Sequence, residues 1–212
     1  MTPELIALTE LERDALTEIV NIGVSRAASA LRKMIGDQVL LSVPSIEVVS
    51  QRRAARLISE REVSDLVAVR QDFNGPFSGR ALLIFPETNS LELVRAVTGG
   101  ELSSEEVLEM EHEALAETGN VILNGCLATM ANMLKRSLIM TIPEVLRGNG
   151  ALLFEVDETN ETEGLVLFLY IDFAVRQRDI RGYIAMLMDI PSLTVLKELL
   201  DEFIVRVVGE DG

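Results

Sequence analysis

The chain has few of the residue types that commonly form reacting centres. Its 212 residues include one Cys and one His. A single Cys cannot form an internal disulfide, and one Cys with one His is too few for a cysteine/histidine zinc site. Any Ser-His-Asp triad would depend on His112 alone, and the chain contains no Gly-rich phosphate loop. We therefore set these enzyme classes aside and expect a reducing compartment.

Basic residues are also scarce. The 19 Lys and Arg against 34 Asp and Glu give a formal charge of -15. Affinity for nucleic acid comes largely from clustered Lys and Arg, so we predict no nucleic-acid partner. The nearest basic cluster is interrupted by acidic residues, and we interpret it as a solvated connector. It consists of Arg52, Arg53, Arg56 and Arg61.

The chain lacks an apolar run long enough to cross a bilayer. Residues 164–175 form its longest apolar stretch, which is broken by Asp172 and is shorter than the roughly 20 residues that a spanning helix needs. Residues 1–12 lack the basic stretch and apolar run of a signal peptide. We expect a cytoplasmic protein without a membrane span.

One polar spacing occurs twice, 99 residues apart. The first copy is Asp14, Glu18, Asn21 and Pro44, and the second is Glu113, Glu117, Asn120 and Pro143. Two copies in one register indicate an internal duplication with two equivalent sites. We predict a single domain over residues 1–212, made of two repeats at about 9–100 and 108–208.

Each motif falls in a segment with the helical period. Residues 9–35 form one predicted helix, with a capping box at Thr9 and Glu12 and a stop at Gly36, and residues 108–135 form the other. At 100° per residue, the acid, Glu and Asn of each motif share a strip roughly 60° wide opposite the core. We expect that strip to face solvent. The predicted core stripes are Leu16, Val20, Gly23, Ala27, Ala30, Leu31 and Met34, and Leu115, Gly119, Ile122, Cys126, Thr129, Met130 and Met133.

A similar order of further elements follows each helix. β-branched and apolar segments predict strands at 39–44, 63–73 and 79–86 and again at 138–143, 164–175 and 182–191, with short helices at 90–98 and 192–203. The turns between them favour hairpins over crossovers. The predicted fold class is α+β: an internally duplicated, pseudo-twofold protein with a central, mostly antiparallel sheet and two long motif-bearing helices.

The polar strip suggests a chemistry that works by positioning. Asn is a poor residue for a helix interior, so its repetition favours a functional role. A carboxamide can orient a nucleophilic water without adding charge beside a phosphoryl group, as neutral amides do in Gln-dependent GTPases. An ionised Glu can pair with a partner's Lys. Because a convex helix suits a protein better than a small molecule, we predict a protein substrate.

The sequence resembles the CheC family of chemotaxis phosphatases (the CheC/CheX/FliY group). The family signature is Asp or Ser, three residues, Glu, two residues, Asn, then Pro, and the resemblance covers nearly the whole chain. It implies hydrolysis of the aspartyl phosphate of a CheY-type response regulator, with Asn21 and Asn120 orienting water and Glu18 and Glu117 contacting the regulator's lysine. The resemblance also implies that the regulator supplies Mg²⁺, with no cofactor bound by this chain, and that the deamidase CheD is a possible second partner.

Other motif residues have supporting or structural interpretations. Asp14 and Glu113 support the motif, although Glu113 stands where the family has Asp or Ser. Pro44 and Pro143 are interpreted as strand terminators. We expect His112 to be half-buried and Cys126 to be a small buried hydrophobe.

The resemblance leaves two alternatives to catalysis. One is a non-catalytic binding module, such as a flagellar-switch-like protein that sequesters the phosphorylated regulator. The other is a scaffold in which the motif only binds. Because the duplication can replace a dimer, we expect a monomer.

Overall fold

The computed structural model describes residues 7–43, 45–98, 103–156, 164–175 and 178–210. Pro44 lies outside the described residues. The helices are α1 Glu10–Ile35, α2 Gln51–Arg61, α3 Glu87–Val97, α4 Ser104–Met133, α5 Gly150–Leu153 and α6 Ile190–Glu210. The strands are β1 Val39–Ser42, β2 Ile46–Ser50, β3 Leu66–Asn74, β4 Gly79–Pro86, β5 Ile139–Met140, β6 Glu144–Gly148, β7 Leu165–Val175 and β8 Arg178–Met188.

The strands form one antiparallel sheet in which the two halves of the chain are interleaved. Its order is β1-β7-β8-β4-β3-β5, and in addition β2 pairs with β7 and β6 pairs with β3. The first two strands of each half therefore pair with the long strand β7 or β3 of the other half. The pseudo-twofold axis that relates the two halves passes between β4 and β8, which pair at Leu82 and Ala185. The predicted α+β class, duplication and antiparallel sheet are confirmed.

The two motif helices cross at a point where both lack side chains. A Cβ on Gly23 would lie 2.9 Å from the Cα of Cys126 and 3.0 Å from the carbonyl oxygen of Gly125. Only glycine permits backbones to approach so closely. Beside this crossing, the Arg26 guanidinium donates to Thr129 Oγ1 over 3.3 Å, which links the helices a second time.

The ends of α1 were predicted correctly. Thr9 and Glu12 form both bonds of the capping box, and the chain leaves the helix at Gly36 with φ 74°. Helix α4 begins four residues before the predicted start, because Ser103 and Glu106 form a second capping box.

The core stripe of α1 was predicted only in part. Ala30 and Met34 are exposed, whereas the other five members are buried. The helix contacts α4, β1, α3 and α6. Its buried face therefore rotates around the helix axis toward the C-terminal end, where Ala28 and Ile35 are buried in place of Ala30 and Met34. On α4 the whole predicted stripe is buried except Met133, which is half-buried.

The interpretation of the arginine-rich segment as a connector was wrong. It forms α2, in which the exposed Arg52, Arg53 and Arg56 lie opposite an apolar face. Ala54 and Ile58 are fully buried in a second core on the sheet face opposite α1 and α4. The guanidinium of Arg61 lies 4.1 Å from the ring centre of Tyr170, a cation–π contact.

The sequence patterns also failed to predict strands β2 and β6 and helix α5. Within the described ranges, no helix is long and apolar enough to cross a membrane.

The buried Cys126 gives a test of the crossing between α1 and α4. Its side chain is fully buried beside Gly23, and burial raises the pKa of the thiol to about 12. The thiol should therefore stay protonated and unreactive at pH 8 in the folded protein, and should react completely once urea unfolds the chain. Stoichiometric labelling of the native protein by a thiol reagent would contradict this packing.

Candidate functional site

The first motif lies on α1, and its carboxylates and its amide have different surroundings. Asp14 and Glu18 are exposed, as predicted, but Asn21 is half-buried. Val43 N donates to Asn21 Oδ1 over 3.0 Å, and Asn21 Nδ2 donates to Val43 O over 3.2 Å. The amide therefore pairs with both polar groups of one backbone residue. We call this pair of bonds the Asn21 clasp.

Chain geometry explains the spacing between Asn and Pro in the motif. From Asn21 to Ile35 the helix rises about 21 Å. The chain then turns at Gly36, and strand β1 returns antiparallel by about 13 Å before it reaches Val43. The residue before Pro44 thereby comes back beside the middle of the helix. The prediction that Asn21 faces solvent is confirmed only in part, because this returning segment leaves the residue half-buried and bonds its amide.

The second motif lies on α4 and is bonded differently. Glu113 and Glu117 are exposed, and Asn120 is half-buried. Asn120 Oδ1 accepts from Gln71 Nε2 over 3.2 Å and from Asn124 Nδ2 over 2.6 Å. Within the described part of the chain, Asn120 Nδ2 has no hydrogen-bond partner. The oxygen of this amide is engaged and its NH2 group is available.

Strand β3 supplies the residue that makes the two sites different. Val145 of β6 pairs with Val69, and Ile46 of β2, 99 residues earlier, pairs with Leu169. Two residues further along each strand, Gln71 therefore corresponds to Ile171. The buried Ile171 offers no hydrogen bond at the first site, whereas Gln71 reaches α4 and also donates to Thr141 O over 2.9 Å.

A glycine allows α4 to approach β3 beside the second site. A Cβ on Gly119 would lie 2.5 Å from Val69 Cγ1, so no other residue fits there without movement. The corresponding residue of α1 is Val20. This close approach brings the adjacent Asn120 within bonding distance of Gln71.

The ends of the two short strands also differ. Val43 is 2% exposed beneath α1, whereas the corresponding Ile142 is 83% exposed. Pro143, which is half-buried, lies between β5 and β6. The first strand end is closed against its helix by the Asn21 clasp, and the second is open to solvent.

An open groove of about 480 Å³ runs along α1 at the first site. Glu18 and Asn21 line it. The remaining lining residues, Ile22, Ser25, Arg26 and Ser29, are the next positions along the same helix. The first motif therefore lies along a shallow, open groove on α1, although its amide is held by Val43.

Each motif helix is held by a buried carboxylate two residues before its first motif acid. Glu12 is 4% exposed and lies 3.6 Å from Lys197 Nζ of α6. Glu111 is 3% exposed, accepts from Ser90 Oγ over 3.1 Å and pairs with Arg147. Sequence reasoning assigned Glu12 to the capping box but missed the burial of Glu12 and Glu111, although Glu12 falls inside the apolar stripe by angle and Glu111 follows it by 99 residues.

Charged groups flank Gln71 on β3. Burial alone would raise the pKa of Asp72, but hydrogen bonds from Arg70 and Arg80 outweigh burial and hold that pKa below its ordinary value. Asp72 is therefore ionised at neutral pH, and its backbone pairs with Thr141 at the open strand end.

The side chain of His112 on α4 is exposed. The prediction that it is half-buried was wrong.

Two family models match separate parts of the chain. The CheC-like family matches residues 11–48, and the chemotaxis phosphatase CheX family matches residues 67–167. Together the two matches span more than half of the chain. The first includes the complete first helix motif, and the second includes the second motif and Gln71.

Curated relatives from Bacillus subtilis are similar at low identity. The flagellar motor switch phosphatase FliY is 26% identical over 145 residues, covering 68% of this chain but 37% of FliY. The CheY-P phosphatase CheC is 25% identical over 197 residues, covering 89% of this chain and 93% of CheC. The chain thus spans about a third of one relative and nearly all of the other.

Solved structures share the fold. Thermotoga maritima FliY superposes with a TM-score of 0.73 at 18% identity, over 92% of this chain and 98% of that one. The FliM middle domain from H. pylori superposes with a TM-score of 0.56 at 8% identity, over 91% and 99% of the two chains.

The Asn21 clasp predicts unequal losses of stability in the two halves. Asn21→Ala should lower the free energy of unfolding by about 1–3 kcal/mol, because it leaves a buried N–H and C=O of Val43 without partners. Asn120→Ala should cost less than about 1 kcal/mol, since Gln71 keeps its bond to Thr141 and the half-buried Asn124 can reach water. Urea denaturation of both variants measures the difference, and equal losses would contradict a clasp present only in the first half.

Proposed function

We propose that the chain is a CheC-type chemotaxis phosphatase, which hydrolyses the aspartyl phosphate of a CheY-type response regulator. The relative that it matches over 93% of that relative's length is a CheY-P phosphatase. The observation in the structure that best supports this proposal is the second motif. Its Asn120 amide has an available NH2 group one turn from the exposed Glu117 on α4.

The proposed reaction transfers the phosphoryl group from the regulator's Asp to water. The water oxygen bonds to phosphorus, the bond from phosphorus to the Asp carboxylate oxygen breaks, and the proton lost by water leaves with the phosphate product. Such hydrolysis needs little covalent help from a protein and depends on positioning. The regulator would supply Mg²⁺ together with the phosphoryl group.

In this proposal Asn120 holds the attacking water. Two donors already engage its Oδ1, so the amide has one preferred orientation. Its Nδ2 can donate to one lone pair of a water whose other lone pair faces phosphorus. A group fixed before the substrate arrives needs no reorganisation during the reaction. The neutral amide also adds no negative charge beside the phosphoryl oxygens.

The exposed Glu117 would dock the regulator. It precedes Asn120 by three residues, so both side chains lie on one face of α4 and can meet one partner together. A carboxylate at this position can pair with a lysine of the receiver domain. Glu18 stands in the same relation to Asn21 on α1.

We further propose that the second site performs most of the hydrolysis. To extend into a partner, Asn21 must first leave Val43, and each of the two bonds of the clasp contributes about 1 kcal/mol net. Breaking both would slow the first site by roughly 30-fold relative to an unclasped amide. Asn120 can extend its NH2 group without breaking any bond of that group.

A binding module without catalysis is the second candidate. The Asn21 clasp favours it, because it shows that the motif Asn can serve to fix a strand end. The FliM middle domain also shares this fold. Such a module would bind the phosphorylated regulator and leave its rate of phosphate loss unchanged.

Removing both motif amides tests the proposed chemistry. We expect Asn21→Ala with Asn120→Ala to abolish acceleration of phosphate release from a phosphorylated receiver domain. Asn120→Ala alone should lose more than about tenfold and Asn21→Ala alone less than about threefold, following the ranking above. Asn132→Ala, an exposed Asn on α4 outside the motif, is the control. A double variant that releases phosphate at the wild-type rate would refute the mechanism.

Reversing the charge of Glu117 tests docking. Glu117→Lys should weaken affinity for the activated receiver by about tenfold or more, because it places two cations face to face. Glu109→Lys changes the net charge equally at an exposed position of α4 outside the motif, so it should have a much smaller effect. Titration calorimetry at two salt concentrations measures both. An unchanged affinity for Glu117→Lys would show that this carboxylate does not contact the receiver.

A further inference from the structure

We propose that Gln71 is a positioning residue of the second site, which orients the Asn120 amide so that its NH2 group faces a docked receiver. This inference rests on the proposed phosphatase function. It assigns a role to a residue of β3 that lies outside the repeated motif and does not itself touch the reacting atoms.

The contacts of Gln71 fix its own orientation. Its side chain is 1% exposed, and Nε2 donates to Asn120 Oδ1 and to Thr141 O. A third oxygen, Asn124 Oδ1, lies 3.5 Å from the same nitrogen. Turning the amide over would place Oε1 against three oxygens, so only the observed orientation is compatible with these neighbours.

The other end of this amide is unfavourable for folding. Gln71 Oε1 is buried and has no hydrogen-bond partner. A buried carbonyl without a partner opposes folding. Ile171 fills the corresponding place in β7 with an apolar side chain that is 4% exposed. The fold therefore accepts an apolar residue here, and a glutamine with an unpaired oxygen needs another explanation.

Orientation of Asn120 provides that explanation. With Gln71 on one side and Asn124 on the other, Asn120 Oδ1 receives two hydrogen bonds from different elements, β3 and α4. These bonds hold the oxygen inward and leave Nδ2 outward. At the first site Ile171 cannot donate, and the amide of Asn21 turns to the backbone of Val43 instead. The residue on the sheet thus decides which partner each motif Asn takes.

The test uses Gln71→Met in the Asn21→Ala background, where only the second site can act. Methionine keeps the length of the side chain and removes the donor. We expect kcat for phosphate release to fall on the order of 10- to 100-fold, as for other misplaced catalytic groups. KM, and the Kd for a CheY-type receiver activated with Mg²⁺ and beryllofluoride, should change by less than about threefold, because docking by Glu117 is untouched.

Two further variants separate positioning from folding. Ile171→Met makes the matched change at the first site and should leave kcat unchanged. Gln71→Ile copies the residue that the other half already accommodates, and it should reproduce the loss of kcat while the unfolding midpoint in urea stays at or above that of the Asn21→Ala parent.

The outcomes distinguish this inference from the proposed function. An active parent with unchanged kcat in both Gln71 variants would overturn the positioning role and leave the phosphatase proposal intact. A fall in kcat matched by a comparable loss of affinity or of the folded state would also overturn it, since Gln71 would then serve docking or folding. A wild-type protein that does not accelerate phosphate release would overturn the proposed function and this inference together.

Discussion

The close crossing of α1 and α4 determines where both copies of the motif lie. Gly23 and Gly125 let the two backbones touch, and Asn21 and Asn120 lie within about a turn and a half of that contact on their own helices. Any side chain at Gly23 would push the helices apart and change how each sits on its sheet strands. The interleaved sheet fixes the rest of this arrangement, because the short strands of each half pair with the long strand of the other.

Duplication has given the two halves the same backbone plan but different polar contacts. The first amide pairs with the backbone of Val43 and closes a strand end. The second pairs with side chains, leaves its NH2 group available and lies beside an open strand end. A few substitutions account for this difference: Gln71 in place of Ile171, Asn124 in place of Ser25 and Gly119 in place of Val20. One copy is therefore suited to fixing the fold and the other to meeting a partner, which is the physical basis for ranking the proposed sites.

Periodicity predicted the parts of this fold that depend on local pattern. Capping at Thr9, the stop at Gly36, strand β4 and the stripe of α4 are encoded within a few neighbouring residues. The turning of the buried face of α1 depends on elements far along the chain, so Ala30 and Met34 were misplaced. Helix α2 was not predicted, because its apolar face is short and is interrupted in sequence by arginines. That face packs on the second side of the sheet. For the site, spacing identified the two motifs, but the contacts of Gln71 and Val43 with the motif amides depend on strand register, which no local pattern reveals.

The central claim is that the two motif amides are unequal before any partner binds. An isotope-labelled sample titrated with a CheY-type receiver, activated by Mg²⁺ and beryllofluoride, would report both amides through their side-chain NH2 resonances. The account predicts that the Asn120 resonances shift on binding at receiver concentrations that leave the Asn21 resonances in place. Equal shifts of both amides, or a shift of Asn21 alone, would contradict it.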